Sequence, residues 1–282
     1  MKKAIQMQWY LIKKRNIIIN TLLLSLLISL FYQIIFYWHC TNANRTGNLI
    51  TTFFFMDSSK NMFKFYLFIF LPVLCSIFYS WYTIDDQKTG YNLYSRIDLK
   101  KVIYSRLIIN FFVGFIFCFS LFLFLSLTTY LITLNKNTNY YYLSALQYSD
   151  SLIVQWGLPN GITNTTLGNL YFTSPHLYYG IYFFIVSIYG GFQAIISTLI
   201  GYFTNKKIVC ILSSFTIHFI AFIILIQLIL PYPLSSYSII NLLDPFPSIM
   251  NTSIIPYLWI IYFTILILTI IITVKKITKR GY

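Results

Sequence analysis

The chain has 282 residues, of which 58% are hydrophobic, 20% aromatic and only 9% charged, with a mean hydropathy of +0.71. Soluble domains carry about 25% charged residues, so a water-soluble enzyme or regulator is excluded and lipid is the expected solvent. The net charge of +14 does not point to nucleic acid. Its cations cluster at the ends of apolar runs, as topology anchors do, rather than along a phosphate-tracking face.

Residues 2–16 alternate basic and apolar groups. Ile5, Trp9 and Ile12 recur at helical spacing, with Gln6 and Lys13 on another side, and Lys13, Lys14 and Arg15 close the stretch. This pattern predicts an amphipathic helix in the inner interface with Trp9 at headgroup depth. A basic flank that only sets orientation is the competing reading. No cleavable signal peptide is expected, because the first apolar run is long enough to span.

Six apolar stretches predict spans at about 17–38, 65–82, 107–134, 178–203, 208–230 and 257–274. Pro72 falls inside the second and is tolerated in a membrane helix. The third exceeds the hydrocarbon thickness and should tilt or project. In the fourth, Ser187 with Gly191 and Gly190 with Ala194 form small-xxx-small pairs that permit close helix approach. The predicted outer segments are 39–64, 135–175 and 231–256. The second carries a Pro159-Asn160-Gly161 turn signal and a short amphipathic stretch at 143–156, and the third holds five prolines. The expected architecture is one all-α integral membrane domain over 1–282, with six transmembrane helices after the interfacial helix.

Between spans two and three lies a charged island, 83–106, read as a cytoplasmic loop. It holds Asp85, Asp86 and Asp98 among the chain's six acids, with Lys88, Arg96, Lys100, Lys101 and Arg106. Sixteen of the twenty Lys and Arg fall in 1–16, 83–106, 206–207 and 275–280, and four fall outside them. The positive-inside rule therefore puts both termini in the cytoplasm.

Chemistry of its own finds little support. The chain has no Glu, and its phosphate-loop, His-Glu-x-x-His and Gly-x-Ser-x-Gly motifs are all missing. No span interior holds a carboxylate, which counts against proton- or sodium-coupled transport. His218 and Gln227 are the polar residues able to line a path, although a lone His or Gln in a span more often bonds a neighbouring helix. His39 and His176 lack partner ligands, so neither a metal nor another cofactor is expected. Of Cys40, Cys75, Cys118 and Cys210, three fall inside apolar runs, and no disulfide is expected.

In the island the chain resembles the permease subunits of type-2 ABC exporters. That family places an amphipathic elbow before six spans and, between spans two and three, an acid, a Gly, an Arg-Pro pair and following cations. Asp86 stands at the acid beside Asp85, Gly90 at the Gly, Arg96 at the Arg, Lys100 and Lys101 at the basic positions, and Arg106 at the closing cation. The acid is Asp rather than the commoner Glu, and Ile97 replaces the Pro. The proline-rich 231–255 stretch matches the place where such permeases fold re-entrant helices. The resemblance implies a permease that dimerises with a second copy or paralogue and is driven by a separate cytoplasmic ATPase. It further implies a Gram-positive plasma membrane and an amphiphilic, antimicrobial-peptide substrate. A non-transporting membrane scaffold and an ATP-independent transporter or membrane-embedded enzyme are the other readings.

Overall fold

The computed structural model describes residues 2–42, 62–89, 99–133, 174–220 and 255–279. Eight helices account for these: α1 Lys2–Lys14, α2 Ile17–Asn42, α3 Met62–Ser76, α4 Tyr82–Thr89, α5 Leu99–Thr133, α6 Pro175–Gly201, α7 Lys207–Ile217 and α8 Ile255–Lys279. Among the described residues there is no strand. Four helices, α2, α5, α6 and α8, are long and apolar enough to cross a membrane. The protein is therefore a membrane-spanning helical protein. Most of the three outer segments, including 143–156 and Pro159-Asn160-Gly161, lies outside the described residues, as do Gly90, Arg96 and Gln227.

α5 is the axis of the fold. Its 35 residues rise about 50 Å at 1.5 Å each, against a hydrocarbon core of about 30 Å. α6 packs along it most extensively, α2 takes a second side, and α1, α3 and α8 fill in around them. Buried Leu71, Phe117, Leu121, Val186, Tyr189 and Leu266 build the main core. α6 opens on Ser174-Pro175, where proline suits the first helical position because that N–H has no partner in any case.

Glycine decides how closely α5 and α6 approach. A Cβ at Gly114 of α5 would lie 2.8 Å from the Gly190 carbonyl oxygen and 2.9 Å from Ala194 Cβ. A Cβ at Gly191 would lie 2.6 Å from the Phe111 ring. The Gly190–Ala194 pair thus meets Gly114, a partner that carries no paired signal of its own in the sequence, while Gly191 of the other pair meets Phe111. Asn110 ties the two helices further, donating to the Ala194 carbonyl at 2.8 Å and to Thr198 Oγ1. On the other side of α5, Ser120 donates to Ser25 of α2 at 2.9 Å, and Ser29 donates to the Leu121 carbonyl at 3.2 Å. In lipid such hydroxyls must find partners within the protein. Those facing outward do so on their own helix, as Thr264 and Thr273 of α8 each do with a carbonyl at 2.7 Å.

The periphery is apolar. Only 22% of the α8 span is buried, against 61% for α6, so Ile260, Ile261, Ile265, Leu268 and Ile272 face outward. α2 likewise exposes Leu23, Leu27, Leu30 and Phe31. In water surfaces of this extent drive association, whereas in lipid they cost nothing.

The second predicted span, 65–82, is not one helix. α3 stops at Ser76 and 77–81 form a turn. Pro72 removes a backbone donor. Ser76 donates to the Pro72 carbonyl at 2.7 Å and Ser80 to the Ser76 carbonyl, which draws hydroxyls onto the helical ladder. The chain then tightens, with Tyr82 N–H to Tyr79 carbonyl at 3.1 Å and Thr83 N–H to Ser80 carbonyl at 3.2 Å, before α4 begins.

Candidate functional site

The helix ends that carry the charges meet at one end of the bundle. α1 reaches it first, turning into α2 through Asn16, which adopts φ 50°. Asn tolerates this left-handed conformation better than most side chains, and it lets the elbow fold sharply. α1 buries Ala4, Gln8 and Ile12 against α5 and the 77–81 turn. Tyr79 donates its hydroxyl to Gln8 Oε1. Trp9 and Tyr10 face outward, 42% and 64% exposed, with Lys13 and Lys14 beside them. The inward face is thus rotated from Ile5, Trp9 and Ile12 to Ala4, Gln8 and Ile12, with Ile5 at its margin. A small side chain and a glutamine with its own hydrogen-bond partner make the contact, and hydrophobic spacing does not reveal them.

The described parts of the island are helical. α4 takes up 82–89 and α5 begins at Leu99, well inside the expected 83–106 loop. Thr83 and Ile84 are buried. Beneath them Gly201 gives room, since a Cβ there would lie 3.4 Å from Thr83 Cβ and 3.0 Å from Cys210 Sγ. Asp85 accepts a 2.8 Å ion pair from Lys207 at the start of α7. Lys207 Nζ also lies 4.3 Å from the Trp81 ring centroid, Trp81 stacks on Tyr82 at 3.8 Å, and Arg15 packs 4.0 Å over Tyr82. One continuous run of cation, ring, ring and cation thus links the elbow, the entry to α4 and α7. Exposed ion pairs and cation–π contacts each contribute about 0.5–1 kcal/mol. Their value here is that they fix α4 to the elbow and to α7 at once.

Asp86 lies on α4, and Lys100 and Lys101 are exposed on the first turn of α5. Arg106 corrects the expectation of a surface cation: it is 1% exposed, inside α5. Its Nη1 donates to the Tyr202 hydroxyl at 3.4 Å, where α5 meets the end of α6. The Lys-Lys signal places 99–106 in water, yet Val102, Ile103 and Arg106 share the inward side of the helix while the lysines face out. Charge density alone cannot separate those two sides.

A second polar cluster lies between α6, α7 and α8. His218 is fully buried at the π-helical turn 218–220 that follows α7. Its Nδ1 is hydrogen-bonded to the Tyr189 hydroxyl. Gln193 donates to the Tyr262 hydroxyl at 3.1 Å, and the Tyr189 and Tyr262 rings are 5.9 Å apart. His218 therefore bonds a neighbouring helix, and with its companions it attaches the otherwise peripheral α8. Tyr189 and Tyr262 carry no sequence signal among 25 tyrosines, whereas Gln193 shares the signal of Gln227, a glutamine inside a predicted span. Near the far end of α6, Leu177, Gly180, Ile181 and Phe184 line an open apolar hollow of about 510 Å³. Among the described residues no three His, Cys, Asp or Glu side chains gather as a metal site.

No family model matches the chain, and no curated protein or solved structure matches it. The functional reading therefore rests on the residues themselves.

Proposed function

We propose that the chain is the membrane-spanning permease subunit of a type-2 ABC exporter. A separate cytoplasmic ATPase drives it, it works as a dimer with a second permease, and it resides in the plasma membrane of a Gram-positive bacterium. The observation that carries this reading is the bracing of α4. A polar eight-residue helix at the charged end is clasped to α1 and α7 and packed on α6. A partner pressing on such a helix moves packed rods rather than a slack loop, which is how a push at the surface becomes helix displacement. Six spans and cytoplasmic termini belong to the same proposal. Single cysteines in a Cys-free background are expected to react with an impermeant maleimide from outside at position 160, and at position 98 only after permeabilisation. The reverse pattern sinks the orientation and the docking idea with it.

The substrate in this reading is an amphiphile, an antimicrobial peptide in export or self-immunity. The spans offer little buried charge, so a strongly hydrated solute pays heavily to cross between them. An amphiphile can instead follow aromatic and small-residue surfaces, including the apolar hollow beside α6. Co-expression with the cognate ATPase should raise resistance to a membrane-active peptide and lower the amount bound to cells, while a catalytically dead ATPase should do neither. Unchanged resistance across cationic and hydrophobic peptides would count against a peptide and favour a lipid or polymer.

A further inference from the structure

The fold brings together two cysteines that the sequence leaves apart. Cys75 of α3 and Cys118 of α5 are both fully buried free thiols, with their Sγ atoms 3.3 Å apart. α6 presents bare backbone to the pair, since a Cβ at Gly190 would lie 2.3 Å from Cys118 Sγ and 3.0 Å from Cys75 Sγ. The third described cysteine, Cys210, instead bonds Ser197, with Sγ donating to its carbonyl at 3.2 Å. Leu71, Phe117, Leu121 and Tyr189 share the core with the thiol pair.

We propose that Cys75 and Cys118 form a redox-closable dithiol, a modification site that locks α3 to α5, with a membrane-soluble quinone as the oxidant. Two S–H bonds break and one S–S bond forms. The two electrons and two protons pass to the quinone, which leaves as the hydroquinone. A disulfide needs its sulfurs about 2.05 Å apart, so closure requires an approach of roughly 1.3 Å, within reach of side-chain rotation and a small helix shift. The product is neutral and apolar, which suits this core, whereas a thiolate-bound cation would bring charge into it. The site lies among lipid-facing helices, away from the water-soluble thiol reductants that keep cytosolic cysteines reduced. A quinone dissolved in the bilayer is already on the lipid side and meets the buried thiols when the helices part. Both thiols are fully buried, so oxidation waits on transient parting of α3 and α5 and is slow.

The consequence is mechanical. α3 runs through the 77–81 turn directly into α4, so a Cys75–Cys118 bond fixes the root of the charged helix against α5. The chemistry depends on the thiol geometry and not on transport. The test treats membranes holding the wild-type chain with decylubiquinone or, as control, its hydroquinone. The protein is then unfolded in N-ethylmaleimide, and the peptides are weighed. The expected result is a Cys75–Cys118 cross-linked peptide, lighter than the two free peptides by two hydrogens, in most molecules of the quinone sample only. Dithiothreitol should release it, Cys210 should be alkylated throughout, and Cys118→Ala should leave Cys75 alkylated. Full alkylation of both cysteines after quinone treatment, or linkage to Cys210 instead, overturns the proposal.

Discussion

Gly114→Val is expected to leave almost no folded protein in detergent, and Gly114→Ala to lower the melting temperature by several degrees. The cause is geometric. A Cβ at position 114 meets a backbone carbonyl at 2.8 Å and the Ala194 methyl at 2.9 Å, and neither can rotate away. α5 and α6 must then separate, which pulls the Asn110 hydrogen bonds and the shared core apart. Overpacking a tight core costs about 1–3 kcal/mol for modest insertions, and a valine here exceeds that range because its extra carbons meet main chain. Gly180→Ala supplies the control on the same helix pair, since its Cβ would find nothing within 4 Å. Alanine is a better helix former than glycine by about 1 kcal/mol, so that variant should melt at or slightly above the wild-type temperature. Thermal melts read by size-exclusion chromatography decide the matter. If Gly114→Val and Gly180→Ala melt together, the close approach of α5 and α6 is wrong.

Apolar runs and the polar residues that bound them were enough to place α2, α5, α6 and α8, because lipid demands long, uncharged helices and the chain obeys. Finer features depend on contacts that a linear pattern does not carry. α3 ends at Ser76 because serine hydroxyls and a proline rearrange its carbonyls, while hydropathy runs on unbroken to Tyr82. Arg106 lies in a cationic stretch but, three residues after Ile103, shares that residue's buried side of α5. Gly114 stands alone in its run, and its importance appears only when Gly190 and Ala194 are laid against it. The same holds at the candidate site. Asp85 and the basic residues announce a charged surface, yet nothing in their spacing reveals that Lys207, more than a hundred positions away, is the partner of Asp85. The aromatic pair Trp81 and Tyr82 shows no partnership in the linear pattern, and in the fold it joins the elbow to α7.

The central claim is that α4 and its flanking charges receive a push from an ATPase, and the most direct measurement is ATP hydrolysis by the cognate ATPase with the chain in nanodiscs. The decisive variant is Asp86→Ala with Arg96→Ala. Aspartate contributes little to membrane orientation, so its loss should leave insertion, yield and melting temperature near wild type, whereas complementary charge at a docking surface governs partner engagement. The account predicts that wild-type chain stimulates hydrolysis several-fold and that the double variant, equally well inserted, loses most of the stimulation. Breaking the clasp with Lys207→Ala should weaken it as well, because α4 then loses its tie to α7. Full stimulation by a well-inserted double variant would contradict the account and leave these charges as topology anchors alone.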